Sequence, residues 1–233
     1  MKNNIVVFDF ETVGYAPEES KNPHLCDPVQ LAAIPIDGRT LKIQYDKSFV
    51  STIKPSRGVE AVDKDTLDWH CRVKNKTPEE VKAEWDAAPS IETVWPTFVK
   101  YLKGFKTEKN EWGNPIRAGH NIINYDCVVA DRMNKKCKIK TEIWHPRDFI
   151  DTMNLLWCWM ENDYSIWSYG MDNMRKYLGI DASGGHDALK DCQDCAAIIK
   201  RFFKYYRHLA GRKADDGKKV LEFKGSFKGW KDD

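Results

Sequence analysis

Residues 5–13 read IVVFDFETV, an apolar run with two carboxylates, Asp9 and Glu11, near its end. Residues 4–10 fit a buried strand, because the run is continuous, β-branched and aromatic. Successive strand side chains alternate faces, so Asp9 and Glu11 project the same way, about 6.6–6.8 Å apart along the strand. Burying charge there costs free energy unless something compensates. Open α/β sheets place ligands at the carboxyl ends of their strands, which is where this pair lies. Taken alone, the pair fits equally a strand end emerging into solvent.

The segments around this strand suggest its partners. Gly14 to Pro28 is polar and proline-broken and reads as a loop. QLAAIPID (30–37) reads as a second strand ended by the turn Asp37-Gly38, and QYDKSFVSTI (44–53) alternates as a third, so the two form an antiparallel hairpin. Helical signals follow at Asp63–Trp69, at Thr77–Trp85 and at Ser90–Leu102; the second opens on TPEE and the third contains Pro96. PIRAGHN (115–121) reads as a fourth strand, Asn124 to about Lys135 as a helix, and RDFIDTM as a fifth strand. Helices then run to about Tyr206. The order predicts an α/β fold: a mixed five-stranded sheet with an antiparallel hairpin, flanked by helices.

Composition sets the class. A chain of 233 residues, 42% hydrophobic and 31% charged, is the size and texture of one globular domain. The expected division is residues 1–210 as one domain, with a helical insertion at about 54–103, and 211–233 as a charged flexible tail. In that tail, Lys and Arg alternate with Phe223, Phe227 and Trp230. It reads as solvated chain or as a grip on nucleic acid or a polymerase. A net charge of +2 gives no strong basic field, so a polyanion would need a local patch or metal ions. Seven irregularly spaced cysteines fit reduced thiols in a cytoplasmic protein. The short apolar run of MKNNIVVF is too brief for a signal segment or a membrane span, so no membrane association is expected.

Two further motifs raise the interest of the first. GHNIINYDCVVADRM places Asp126 in the first turn of a helix after a strand. Acids there are stabilised by the helix dipole, but Asn124 is the expected cap and leaves Asp126 without that task. GGHDALKDCQDCAAIIKRFFKYY carries apolar residues at 188, 192, 195, 199, 202 and 206 on one helical stripe. Asp191 falls on the buried side of that helix, while Lys190 and Asp194 can face solvent. His186 precedes it on a Gly-Gly approach that can place the ring freely. Cys192 and Cys195 form a CxxC without further zinc ligands, and core packing is the expected role. Carboxylates meeting at one place repel and raise each other's pKa. Divalent cations remove that conflict, and hard oxygen donors suit Mg²⁺ or Mn²⁺.

DFET (9–12), HNIINYD (120–126) and HDALKD (186–191) resemble, in order, the three motifs of the DEDDh, or DnaQ-like, 3′–5′ exonucleases. VQLAAI (29–34), FIDTMNLL (149–156) and MRKYLGID (174–181) add supporting likeness. The resemblance implies a ribonuclease H-like fold and two Mg²⁺ or Mn²⁺ ions held by Asp9, Glu11, Asp126 and Asp191. It implies His186 as general base, and Thr12 and Asn121 near the terminal nucleotide. The implied substrate is single-stranded or 3′-frayed nucleic acid, DNA first, with a DNA polymerase as partner in the proofreading case. Exoribonucleases of the oligoribonuclease or RNase T type are the alternative, and a non-catalytic subunit of a replication complex is a third reading. Residues 63–85, with Trp69 in a T-x-x-W context, look like the insertion of phage DexA-like exonucleases. Relatives stack terminal bases on aromatic rings. Trp69, Tyr15 and Trp112 are the rings expected in loops, while Trp157 and Trp159 are expected in the core or on helix faces.

Overall fold

A computed structural model describes residues 3–209 of the chain. Its centre is β1 (Ile5–Val13), and both faces of that strand are covered. Val6, Phe8 and Phe10 enter one apolar core, and Ile5 and Val7 enter another on the opposite side. This two-sided burial is why the sequence there is a continuous apolar run instead of an alternating one.

Four strands join it in the order β3-β2-β1-β4-β5. β2 (Asp27–Ile36) and β3 (Phe49–Thr52) form the antiparallel hairpin on one side. β4 (Ile116–Gly119) and β5 (Phe149–Asp151) add in parallel on the other. Among the described residues seven α-helices accompany the sheet: α1 (Lys64–Lys74), α2 (Pro78–Asp86), α3 (Ile91–Lys103), α4 (Asp126–Lys136), α5 (Thr152–Met160), α6 (Met171–Leu178) and α7 (Ala188–Leu209). The mixed, helix-flanked sheet read from the sequence is therefore present. The tail at 211–233 lies outside the described residues. Among the described residues no helix is long and apolar enough to cross a membrane.

Local chemistry accounts for the boundaries. Thr77 and Glu80 complete a capping box at the start of α2, with Pro78 in the first turn. α1 runs beyond the expected end at Trp69 and stops where Asn75 turns left-handed (φ 51°). Pro96 sits inside α3 without ending it. The third strand is shorter than expected, because Tyr45–Lys47 winds into a 3-10 turn. The Tyr45 carbonyl accepts from both the Ser48 backbone N–H (3.2 Å) and the Ser48 hydroxyl (2.8 Å) and holds that turn.

Tryptophans divide between core and surface. Trp85, Trp95 and Trp144 are buried, and Trp144 stacks on Phe8 with 4.9 Å between ring centres. Trp157 lies on a helix face, the outer one of α5, where it is 55% exposed. Trp159 is also half open, resting edge-on against Phe202 and Tyr205 of α7.

Phe98 is fully buried and touches the rings of Phe8, Phe49, Trp95, Tyr101 and Trp144. Phe98→Ala removes the ring that ties α3 to β1 and β3. The expected loss is ~3–5 kcal/mol, read as a lower denaturant midpoint in equilibrium unfolding.

Candidate active site

β1 outruns its parallel neighbour. β4 pairs only with Ile5, Val6 and Val7, so the last part of β1 projects past it. Asp9 and Glu11 stand on this projecting part, on the face that carries Ile5 and Val7. That face is covered by α7, whose Ala188, Cys192, Cys195 and Ala196 are small and lie flat on the sheet. The Cys192 thiol donates to the Ala32 carbonyl (3.5 Å), so the CxxC serves as packing, as read from the sequence. A second tie fixes the height of α7. The Gln30 amide donates to Asp187 (3.0 Å) and accepts from the Ala188 N–H (3.3 Å), and Gln30 is the cross-strand partner of Glu11.

Asp191 is thereby delivered to the end of β1. One carboxylate oxygen from each of Asp9, Glu11 and Asp191 lies within 4.8 Å of the others. The three share an open cleft of about 620 Å³ with His186, Thr12, Tyr125, Trp69 and Arg72.

Asp126 stands beside this cluster and outside the cleft lining. It is buried and accepts a hydrogen bond from the Phe10 N–H (3.0 Å), a backbone group on the part of β1 that β4 leaves free. Asn124 is not the cap of α4. Tyr125 precedes the first turn without capping it, and the Asn124 amide instead donates to Asn121 Oδ1 (2.9 Å). Asn121 has a left-handed backbone (φ 56°), donates its N–H to Asp151 (2.9 Å) and stands outside the cleft lining. Thr12 does reach the cleft, with its hydroxyl 2.6 Å from that of Tyr125.

Charge is crowded here. Burial first, then Asp126, Glu11 and Asp191, push the Asp9 carboxyl well above the usual range. Burial and then Asp191 and Asp126 do the same to Glu11. Burial pushes the Asp126 carboxyl up to about 7, against the pull of the Phe10 N–H. Asp191 is raised by burial too, with the Arg175 guanidinium opposing.

That arginine is the main element the sequence reading missed. Arg175 on α6 is fully buried and donates to Asp191, to Asp194 (2.8 Å) and to Asp172 (3.0 Å). Asp194 is therefore not on the solvent side of α7: it is buried between Arg175 and Lys190, whose ammonium lies 2.6 Å away. Nine residues before the Gly184-Gly185 pair, Arg175 reads as an ordinary basic residue in the last turn of a helix, so composition could not reveal it.

His186 sits on the rim with a left-handed backbone (φ 65°), led in by Gly184 (φ 74°). Its N–H donates to Asp191 (3.2 Å), and its Nε2 donates to Asp172 (3.2 Å). Trp69, placed on α1 and not in a loop, turns its ring against the imidazole with 5.0 Å between centres. Beneath Trp69, His70 holds the Thr12 carbonyl (3.0 Å), and burial lowers its pKa to about 4, so it stays neutral. The other two rings expected near substrate are engaged elsewhere. Tyr15 donates to Asp27 (2.6 Å), and Trp112 packs on His145.

Residues 6–199 match the family model described as exonuclease. The chain belongs to the exonuclease family. Its fold is ribonuclease H-like and DnaQ-like, and solved structures share it. Cell-death related nuclease 4 (CRN-4) superposes with a TM-score of 0.65 at 19% identity, over 87% of this chain and 64% of that one. E. coli exonuclease I in complex with a dT13 oligonucleotide gives 0.61 at 19% identity, over 89% and 44%. The zinc ion bound form of the E. coli exonuclease I complex with single-stranded DNA gives 0.60 at 20% identity, over 91% and 44%. The chain thus spans less than two thirds of the nuclease and under half of exonuclease I. No curated protein matches the sequence.

Raised carboxyl pKa values have a consequence for stability. Between the unfolded values near 4 and the folded values, the native chain binds more protons than the unfolded chain, so stability falls as pH rises through this window. Asp126, at about 7, carries the effect to neutral pH. In EDTA, the unfolding temperature of the ion-free protein should drop by ~5 °C or more from about pH 5 to about pH 8. Mn²⁺ at the higher pH should restore it, and Asp9→Asn should flatten the slope. A midpoint independent of pH in EDTA contradicts the charge crowding.

Proposed function

We propose that this chain is a metal-dependent 3′–5′ exonuclease that degrades single-stranded or 3′-frayed nucleic acid, DNA in preference to RNA, to nucleoside 5′-monophosphates. The observation that carries the reading is the meeting of Asp9, Glu11 and Asp191 within 4.8 Å in a cleft that also holds His186. Membership of the exonuclease family supports hydrolysis of nucleic acid, and the dT13-bound relative supports DNA.

The donor set fits divalent cations. Hard carboxylate oxygens suit Mg²⁺ or Mn²⁺, and the mutual repulsion that lifts the Asp9 and Glu11 carboxyls is what a cation relieves. Asp9, Glu11 and Asp191 would hold two such ions, with Asp126 contributing from behind Phe10. When bound, the ions supply charge neutralisation for a phosphodiester and acidify a water.

The protein's own groups do the rest. His186 is the base that takes the proton of the attacking water, since its imidazole lines the same cleft as Asp9, Glu11 and Asp191. Trp69 offers a ring beside it for stacking of a terminal base, a contact worth ~1–3 kcal/mol. Arg72, one turn further along α1, reaches the same cleft and can meet a phosphate. Thr12 and Asn121 complete the nucleotide end in this reading, Thr12 directly in the cleft and Asn121 from the loop behind it. The α1–α2 segment retains its likeness to phage DexA-like enzymes as part of the proposal.

Digestion of 5′-labelled single-stranded DNA and RNA of one sequence, with Mg²⁺, Mn²⁺ or EDTA, tests polarity, sugar and metal together. A ladder shortening from the 3′ end, faster on DNA and abolished by EDTA, is expected. Asp9→Ala should abolish cleavage with an unchanged circular dichroism spectrum. His186→Ala should slow turnover by ~10²–10⁴-fold. Full activity in Asp9→Ala would remove the metal assignment, and full activity in His186→Ala would remove the base.

A further inference from the structure

Four residues close a ring of hydrogen bonds at the rim of the cleft. Arg175 donates to Asp191 and to Asp172 Oδ1, the His186 N–H donates to Asp191, and His186 Nε2 donates to Asp172 Oδ2. The histidine is thus held twice, by its main chain and by its ring, and both carboxylates that hold it are bound by one guanidinium. We infer that Asp172 is a positioning residue that sets the orientation and tautomer of His186, a role that rests on His186 being the base proposed above.

Asp172 lies in the first turn of α6, where any acid is favoured by the helix dipole. Its geometry exceeds that task. Its two oxygens are divided between different partners, with Arg175 three residues later on the same helix face taking one at 3.0 Å and the imidazole taking the other at 3.2 Å. With Nε2–H committed to a carboxylate, the neutral ring carries its free lone pair on Nδ1, the atom left to accept a proton from water. Trp69 packs edge-on against one side of the imidazole, with 5.0 Å between ring centres, while the side chain stays 40% exposed to the cleft.

The backbone is adapted to the ring as well. A Cβ on Gly185 would fall 2.8 Å from Arg175 Nη1, so any larger residue there would have to push the guanidinium aside. His186 keeps a left-handed backbone, costly for a residue with a side chain, and its N–H reaches Asp191 from that conformation. Removing Arg175 itself would take a fully buried guanidinium away from three carboxylates and endanger folding, whereas the Asp172 side chain is 58% exposed and is the gentler place to intervene.

In Asp172→Ala, kcat should fall ~10–100-fold, as for other groups that orient a catalytic histidine. KM for a DNA oligonucleotide and Mn²⁺ affinity by calorimetry should stay within about twofold, and Asp172→Glu should recover part of the loss. Asp172→Asn, which keeps the shape, serves if Asp172→Ala proves unstable. In a His186→Ala background the same change should cost nothing further. On the metal-free protein, with the pH raised until the ¹⁵N shifts report a neutral His186 ring, the spectra should show its proton on Nε2, and Asp172→Ala should lose that preference. An unchanged kcat, an equal loss in the His186→Ala background, or an unaltered tautomer overturns the positioning role. A fully active His186→Ala protein instead sinks the base assignment, and the spectra then still report whether Asp172 holds the ring.

Discussion

Repulsion among carboxylates withdrawn from water is the constraint on which this structure turns. Asp9, Glu11, Asp126 and Asp191 occupy the end of one strand and the helix ends beside it, and each carboxyl is raised from its ordinary value. The chain answers only part of that charge itself. The Phe10 N–H meets Asp126, and Arg175 meets Asp191. Asp9 and Glu11 face the cleft, where a ligand from outside can complete the balance. A site built for stability alone would have replaced one of them.

The fold provides this place through a mismatch in strand length. β1 continues to Val13, while β4 pairs with it only as far as Val7. The projecting segment keeps β2 on one side and has no strand on the other, so a buried backbone N–H is left for Asp126 to accept. On the opposite face, small residues let α7 lie close enough for Asp191 to reach the strand end, and Gln30 fixes the register between them. Packing and chemistry are thus set by the same contacts. The thiols of Cys192 and Cys195 matter for their size and not for their reactivity.

Local patterns made much of this legible. Apolar runs announced the strands, TPEE announced α2, and the stripe from Ala188 to Tyr206 announced α7 and the inward side of Asp191. Alternation along β1 placed Asp9 and Glu11 on one face. Long-range pairings were hidden. Lys190 and Asp194 looked like solvated neighbours because nothing in a single helix indicates a buried arginine arriving from another one. Asn124 looked like a cap because caps are read from sequence position, whereas its amide is taken by Asn121. For Trp157 the sequence left core and helix face open, and the packing of α5 against α7 turns that ring to the outer face. In each case the deciding partner lies in another segment of the chain.

The same raised carboxyls explain how such a cluster survives without its counter-charge. A carboxyl whose pKa rises towards neutrality can take up a proton, and protonation removes the repulsion locally at far less cost than unfolding the strand end. In the proposed reading, protons and divalent cations compete for one set of oxygens, so cation uptake would release protons. Arg175 marks the limit of this arrangement. Being always charged, it opposes the burial that raises the Asp191 carboxyl and aims that side chain at the end of β1. The cluster is thus divided into one acid fixed by the protein and two left free to respond to what enters the cleft.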